Sequence, residues 1–476
     1  MARALAVLGS ASDVGKSMVA APFKAQNMAN QAGVTADGLE MPRAQIVQAR
    51  ACGIAPHVDM GPVLLKPVSA TRAQLVVLGK AAGDREAREY FEDTRALADT
   101  ALAALDRLAA RYDALVLEGA GSPVELNLMA RDFVNLAPAR RVGAAIVLVV
   151  DIDRGGVFAQ ARGTLDLLPA EDRARVIGLV VNRFRGDPAL FEDGIPLLER
   201  TCGAPVLAVI PHVDHGVDEE DRPLRVPVDA APQAGRLRVG ALLSPRVSNT
   251  EDLFPLLAEE DVQLTWLTRP ALALDQHLLV LPGSKGTVAD LAHHASTGIA
   301  EAVRAAHRAG AWVLGLCGGY QMLGRELVDA AGTEGGPPRW DGLGLLPHRT
   351  VFEAAKATRP ADYLSAWPEA GHPLRGYEIH HGVSAGAGAP LVQGKGAEVG
   401  LHGERVAGAY LHGLLASDAW RAAFLGEVRR THGLPARPPS RLEPLEHRLR
   451  RWADTVRASL RPGAWERVLG CVARGG

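Results

Sequence analysis

Apolar runs that end in glycine or a polar residue recur along the first half of the chain: ALAVLG (4–9), LVVLG (75–79), ALVLEG (114–119), AAIVLVVD (144–151) and VIGLVVN (176–182). Continuous apolarity of this length marks strands buried on both faces. Between them lie stretches such as TRALADTALAALDRLAARY (94–112), whose apolar residues recur at helical spacing. Strands alternating with helices predict a parallel, doubly wound sheet. The pattern lapses over EEDRPLRVPVDAAPQAGRLR (219–238), rich in proline and charge, which sets a boundary near residue 235. A second series, LRVGALL (237–243), HLLVLPG (277–283) and AWVLGLC (311–317), predicts another α/β unit. From about 435, LPARPPSRLEPLEHRLRRWADTVRASL begins as a proline-rich linker and continues as a basic amphipathic helix. The expected units are therefore 1–232, 237–435 and a tail, 436–476.

Composition changes this picture little. The 476 residues are 47% hydrophobic and 22% charged, with a formal net charge of -2. Such a balance gives no general attraction to nucleic acid or to an anionic membrane, so a packed tail helix with a solvated charged face is a simpler reading than an RNA-binding one. No apolar run reaches the length of a bilayer span, and the start MARALAVLGSASDVGKS breaks into glycine and charge too soon for a signal peptide, so a cytoplasmic protein is expected. The four cysteines are far apart and form no C-x-x-C pair, against a zinc knuckle or a disulfide framework.

The chemistry begins in GSASDVGKS (9–17), directly after the first strand. Backbone N–H groups of such a loop, with a helix start behind them, hold phosphate oxygens; Lys16 would reach the terminal phosphates and the Ser17 hydroxyl would bind Mg2+. The glycine spacing is one residue wider than the usual phosphate-binding loop, so the strand-loop-helix setting carries the reading. Ligands of open α/β sheets sit beyond the carboxyl ends of strands, where Glu118, Asp151 and Asp153 fall, each also readable as a cap or loop acid. Lys24 in PFKAQNM and Lys66 in LLKP could meet phosphate or a carboxylate.

The second unit carries GLCGG (315–319), the G-x-C-x-G shape of a nucleophile elbow. A thiolate at Cys317 would be favoured by the helix start that follows. A buried core cysteine is the competing reading, so a base is required. GAYLHGLL (408–415) presents His412 at the end of an apolar strand. An oxyanion hole would use the N–H of Gly318 with one from LPGSKGT, Gly283 or Ser284.

Taken together, GSASDVGKS, PFKAQNM, LLKP, LEGAGSPVELNL, DIDRGGVFA and VNRFRGD resemble the cobyric acid synthase family, in its order and at its approximate spacing. PGSK, GLCGGYQMLG, GYEIHHG and GAYLHG extend the resemblance, which runs from residue 3 to about 425. It implies an ATP-binding domain similar to dethiobiotin synthetase joined to a class I glutamine amidotransferase domain. On that resemblance Gly15, Lys16 and Ser17 hold ATP, Glu40 and Glu118 join Ser17 around Mg2+, Lys24 neutralises the transferring phosphate, and Asn182 recognises adenine. Two departures stand out: EMPRAQ (40–45) for the family's EIGRAQ, and NMANQ (27–31) for NMSNN. The common class I triad also has a glutamate two residues after the histidine, where this chain has Leu414; Tyr377, Glu378 and His380 are candidate neighbours of His412.

The implied reaction is ATP- and glutamine-dependent amidation of the b, d, e and g carboxylates of adenosylcobyrinic acid a,c-diamide, through an acyl phosphate and ammonia released at a Cys-His site. A sister enzyme, cobyrinic acid a,c-diamide synthase, is the nearest alternative, and PFKAQNM with DIDRGGVFA favours the former. A nucleotide-binding regulatory protein with a degenerate amidotransferase domain is the alternative of another class. It would be expected to lose the cysteine or the histidine, and both are present.

Overall fold

The computed structural model describes residues 3–10, 22–69, 71–92, 94–213, 216–217, 224–330, 332–334 and 338–473. Five parallel strands form the first sheet, in spatial order Val206–Pro211, Val176–Phe184, Ala145–Asp151, Arg3–Gly9 and Ala114–Glu118. Side chains alternate across it. Ala4, Ala6 and Leu8 face one side, where helix Arg95–Arg111 packs through Ala101, Ala104, Leu105 and Leu108, the spacing its sequence predicts. Helices Leu136–Arg141, Val157–Leu167 and Gly194–Cys202 share that side.

Val7, Val147, Val149 and Val180 face the other side, and the tail covers them. Its two helices, Leu445–Ala458 and Ala464–Ala473, bring Trp452, Val456, Ala464 and Val468 onto this surface, with Leu460 from the connection between them. Leu460 also bridges to Ala208, and Arg461 N–H donates to the Leu207 carbonyl at 2.9 Å, so the tail covers the sheet's edge strand as well.

The apolar run at 75–79 does not join the parallel sheet. Strand Arg72–Val77 pairs antiparallel with Lys80–Glu86, in a four-stranded sheet with Gln26–Met28 and Val63–Pro67. The two-residue loop Leu78–Gly79 has φ of 45° and 79°, the turn geometry that matches the twist of a tight hairpin.

The second large sheet has seven strands: Val262–Leu267, Leu237–Leu242, Leu278–Leu281, Trp312–Leu316 and Val406–Ala409 run parallel, then Gly400–Gly403 and Ala389–Pro390 antiparallel. Helix Asp418–Thr431 packs on one face through Trp420, Phe424, Leu425 and Val428, and helices Thr287–Ser296 and Ile299–Arg308 on the other. A long hairpin, His348–Leu364 with Pro373–Gly386, reaches from this domain to the first.

Candidate active site

Strand Trp312–Leu316 is buried along its whole length and stops at Cys317, which adopts φ 50° and ψ −107° before helix Gly318–Leu323 begins. A side chain rarely accepts this conformation, and strain of this kind persists only where the surroundings fix it. Glycines provide the fit. A Cβ on Gly315 would lie 2.7 Å from the Gly319 carbonyl carbon, and one on Gly319 would overlap the Leu281 carbonyl oxygen. The turn therefore closes tightly on its neighbours, with the Cys317 thiol donating to the Ile379 carbonyl at 3.3 Å.

His412 follows strand Val406–Ala409, its side chain 2% exposed. Nδ1 lies 2.7 Å from Asp252 Oδ2, and Asp252 Oδ1 accepts the Gly413 N–H at 2.7 Å. With Nδ1–H assigned as donor to the carboxylate, Nε2 is left for the thiol. Burial by itself would push this imidazole down. The Asp252 carboxylate and the Cys317 sulfur, which also hydrogen-bonds the ring, outweigh it and hold His412 well above its ordinary value. Cys317, His412 and Asp252 thus form one continuous line from thiol to imidazole to carboxylate.

Asp252 was not legible in the sequence. It lies in the short helical segment Thr250–Ala258, where an acid in the first turn reads as an ordinary helix-start residue. Leu414, at the position of the class I glutamate, is fully buried in apolar core. Of the other candidate neighbours, Tyr377 stacks on His412 at 5.0 Å between ring centres and exchanges both backbone hydrogen bonds with it. A Cβ on Gly376 would overlap the His412 carbonyl oxygen, so this approach depends on glycine. Glu378 is committed elsewhere: it accepts from Arg359 Nη2 at 2.7 Å, from the Tyr363 hydroxyl and from His380 Nε2. Burial would raise its carboxyl, but His380, Tyr363 and Arg359 lower it to about 2. His380 stacks on Tyr410 at 3.7 Å and bonds the Gly382 carbonyl, a satisfied histidine.

Gly283 and Gly318 come to the same place. A Cβ on Gly283 would sit 3.4 Å from His412 Cε1, and one on Gly318 2.9 Å from the Ser284 nitrogen. Next along, Lys285 is pulled down, first by burial and then by the Lys66 charge of the first domain, against Glu334, Glu40 and Asp84.

In the first domain, Gly15, Lys16 and Ser17 lie outside the described residues. Glu118 ends its strand as a buried carboxylate, 3.2 Å from Lys24 Nζ and accepting from Gln48 Nε2 at 2.7 Å. Gln48 accepts from Gln45 at 3.3 Å, and Gln45 from Asn27 at 3.4 Å, so one face of helix Arg43–Ala51 serves this site. Glu40 is buried between two ammonium groups: Lys66 Nζ bonds Oε1 at 2.9 Å and Lys356 Nζ bonds Oε2. Despite complete burial, those two lysines hold Glu40 far below the usual carboxylate range, while burial and the other lysines bring Lys356 down to about 8. Asp151 meets Arg183 and Arg154, and Asp153 meets Arg185. Asn182 is buried in the adjacent strand, paired in register with Asp151. Pro42 beside Glu40 is accommodated in the short strand Glu40–Pro42.

Among the described residues no cluster of three or more histidine, cysteine, aspartate or glutamate side chains could hold a metal, and no helix is long and apolar enough to cross a membrane. The donor set fits Mg2+ in part. Glu118 is a hard oxygen ligand at a strand end beside a cation, whereas both Glu40 oxygens are occupied by ammonium groups.

A strained thiol elbow, an Asp-oriented histidine and a parallel sheet with a lysine-carboxylate centre define a nucleotide-binding domain coupled to a glutamine amidotransferase. Residues 238–420 match the family described as CobB/CobQ-like glutamine amidotransferase domain, and residues 5–223 that described as CobQ/CobB/MinD/ParA nucleotide binding domain. The chain is 49% identical to a cobyric acid synthase of Chlorobaculum tepidum over 80% of its own length and 79% of the relative's. It is 45% identical to one of Chlorobium phaeobacteroides strain BS1 (90% and 92%) and 42% identical to one of Salmonella choleraesuis (91% of each). The chain belongs to the cobyric acid synthase family, and is a glutamine-hydrolysing ligase.

Proposed function

We propose that Cys317 attacks the side-chain amide of glutamine, forming a glutamyl thioester and releasing ammonia, with His412 moving the protons and Gly318 and Gly283 N–H groups receiving the oxyanion. Residues 1–232 would transfer the γ-phosphoryl group of ATP to a corrinoid carboxylate, releasing ADP and giving an acyl phosphate whose carbonyl carbon ammonia attacks with loss of phosphate. The substrate we assign is adenosylcobyrinic acid a,c-diamide, amidated at its b, d, e and g carboxylates to adenosylcobyric acid. The observation that carries this reading is the Cys317–His412–Asp252 constellation, held in one chain with the Lys24–Glu118 pair.

Gly15, Lys16, Ser17, Lys24 and Asn182 would hold the nucleotide. Ser17 and Glu118 would hold Mg2+, which would neutralise charge on the triphosphate; Glu40 would join them only by releasing Lys66 and Lys356. Ammonia would cross an enclosed interface, a view supported by buried Glu40, which pairs with Lys66 of its own domain and Lys356 of the other. We treat 1–232 and 237–435 as the two working units. The tail, through Trp452 to Val468, covers the sheet of the first. A cytoplasmic setting is consistent with the three described cysteines, all free.

Two measurements test this. Cys317→Ala is expected to abolish glutamine hydrolysis and glutamine-dependent amidation while ammonium salts still support amidation; equal glutamine hydrolysis by both proteins would overturn the thiol assignment. Mass spectrometry should count four amides added to each a,c-diamide molecule; no addition to that substrate, with two amides added at a and c when cobyrinic acid is supplied, would assign the sister activity instead.

A further inference from the structure

The turn that leads to Asp252, and Tyr377, which stacks on His412, both reach hydrogen-bond partners in the other domain. Asn249, left-handed at φ 52°, opens the turn that leads to Asp252. Its side-chain amide donates to the Ala32 carbonyl and to the Tyr377 hydroxyl, each at 2.8 Å. That hydroxyl lies 3.0 Å from the Ala32 carbonyl and 2.8 Å from Glu251 Oε1. One residue on, Thr250 N–H donates to Gln31 Oε1 at 3.2 Å, and Gln31 Nε2 donates to Thr250 Oγ1 at 3.4 Å. Ala32 begins the short strand Ala32–Val34, whose Val34 pairs with Glu40. Upstream in the same segment are Lys24, which pairs with Glu118, and Asn27, which leads to it through Gln45 and Gln48. Residues 24–40 thus run from one reaction centre to the turn that fixes the other.

We propose that Asn249 and Tyr377, docked on Gln31 and Ala32, are positioning residues through which the first domain sets the Asp252–His412 pair. Glutamine is then hydrolysed at full rate only while segment 24–40 is seated. This inference rests on reading Cys317 as the glutaminase nucleophile. A non-glycine residue in the left-handed region keeps that conformation where its side chain is held, and here one holding partner, the Ala32 carbonyl, belongs to the first domain while Tyr377 is shared with it. Tyr377 transmits the same constraint by its ring, which lies within 21° of the His412 plane. The Asn249–Ala32 and Thr250–Gln31 ties are buried and polar, so losing one leaves a donor or acceptor unpaired in the interior.

The test uses the full chain with Asn249→Gly, which keeps the backbone conformation and deletes the amide, and Tyr377→Phe, which keeps the stacked ring and deletes the hydroxyl. Glutamine hydrolysis is measured with and without ATP and corrinoid, as kcat, KM and pH profile, beside amidation driven by ammonium chloride. Asn249→Gly is expected to lower glutaminase kcat about tenfold with little change in KM, and to weaken stimulation by ATP and corrinoid. Its pH profile should move to lower pH, because a loosened Asp252 no longer holds the imidazole up. Tyr377→Phe should give the same pattern, smaller. Ammonia-driven amidation should remain within about twofold. Parallel loss of both activities, or no change in either, overturns the proposal. Glutaminase activity surviving in Cys317→Ala would instead overturn the reading beneath it.

Discussion

The two reaction centres of this chain are preorganised in opposite ways. Around Cys317 the backbone itself is strained and locked, with glycines allowing the close contacts and Asp252 presetting the imidazole. Around Glu118 and Glu40 the backbone is ordinary, and the carboxylates are satisfied by lysines of the same protein. The first centre is ready for a neutral amide to enter. On the proposed function the second would exchange internal ion pairs for an anionic nucleotide and its acceptor, so ligand binding there would rearrange buried charge. A buried pair offers modest net stability when intact and a large penalty when one partner is lost. The glutaminase centre should thus fail in activity when altered, and the synthetase centre in stability as well.

The largest effect expected on the first side is from Asp252→Asn. Glutamine hydrolysis should fall about 10²- to 10⁴-fold while ammonia-driven amidation persists. The sign of the pH effect follows from the raised His412: removing the carboxylate lowers the imidazole toward its ordinary value, so the residual activity is lost at lower pH than in the parent. An unchanged rate would mean that Asp252 is structural and the comparison fails.

On the other side, Glu40→Gln leaves Lys66 and Lys356 buried without a full counter-charge, a loss of about 3–5 kcal/mol measurable by denaturant unfolding. Adding Lys356→Met should recover part of it. If Glu40→Gln is instead neutral, the network is wetter than its burial indicates and the contrast narrows.

A smaller effect belongs to Glu378, a buried carboxylate near the thiol that works by charge like the synthetase centre. Its carboxyl is lowered to about 2 from 4.5 by His380, Tyr363 and Arg359 against the cost of burial. Its contribution is present above pH 4.5 and is lost as pH falls toward 2. Acid unfolding should therefore cost the parent about 2–3 kcal/mol more over that range than Glu378→Gln.

What was legible in the chain follows the same division. Strands buried on both faces announce themselves as continuous apolar runs, and the glycines around Cys317 announce a turn that nothing larger fits. His412 could be found because an apolar strand leads to it. Asp252 could not: its role depends on a spatial contact across 160 residues, and its local sequence suits any helix start. The run at 75–79 misled for a related reason, since a buried antiparallel hairpin and a buried parallel strand share one apolar signature until the turn conformation is known. The tail was recognisable as a helix, but the face it covers is a property of the sheet, and that sheet is assembled from segments spread over two hundred residues.

That placement of the tail has a consequence for biosynthesis. A ribosome makes strand Arg3–Gly9 first and helix Ala464–Ala473 after the whole amidotransferase domain, yet these two elements pack directly together. During translation one side of the nucleotide-binding sheet therefore waits bare, a valine-rich surface open to chaperones or to its own kind. A product that stalled short of residue 445 would carry an intact elbow and an unfinished first lobe, so quality control of this enzyme is concentrated in its last helices.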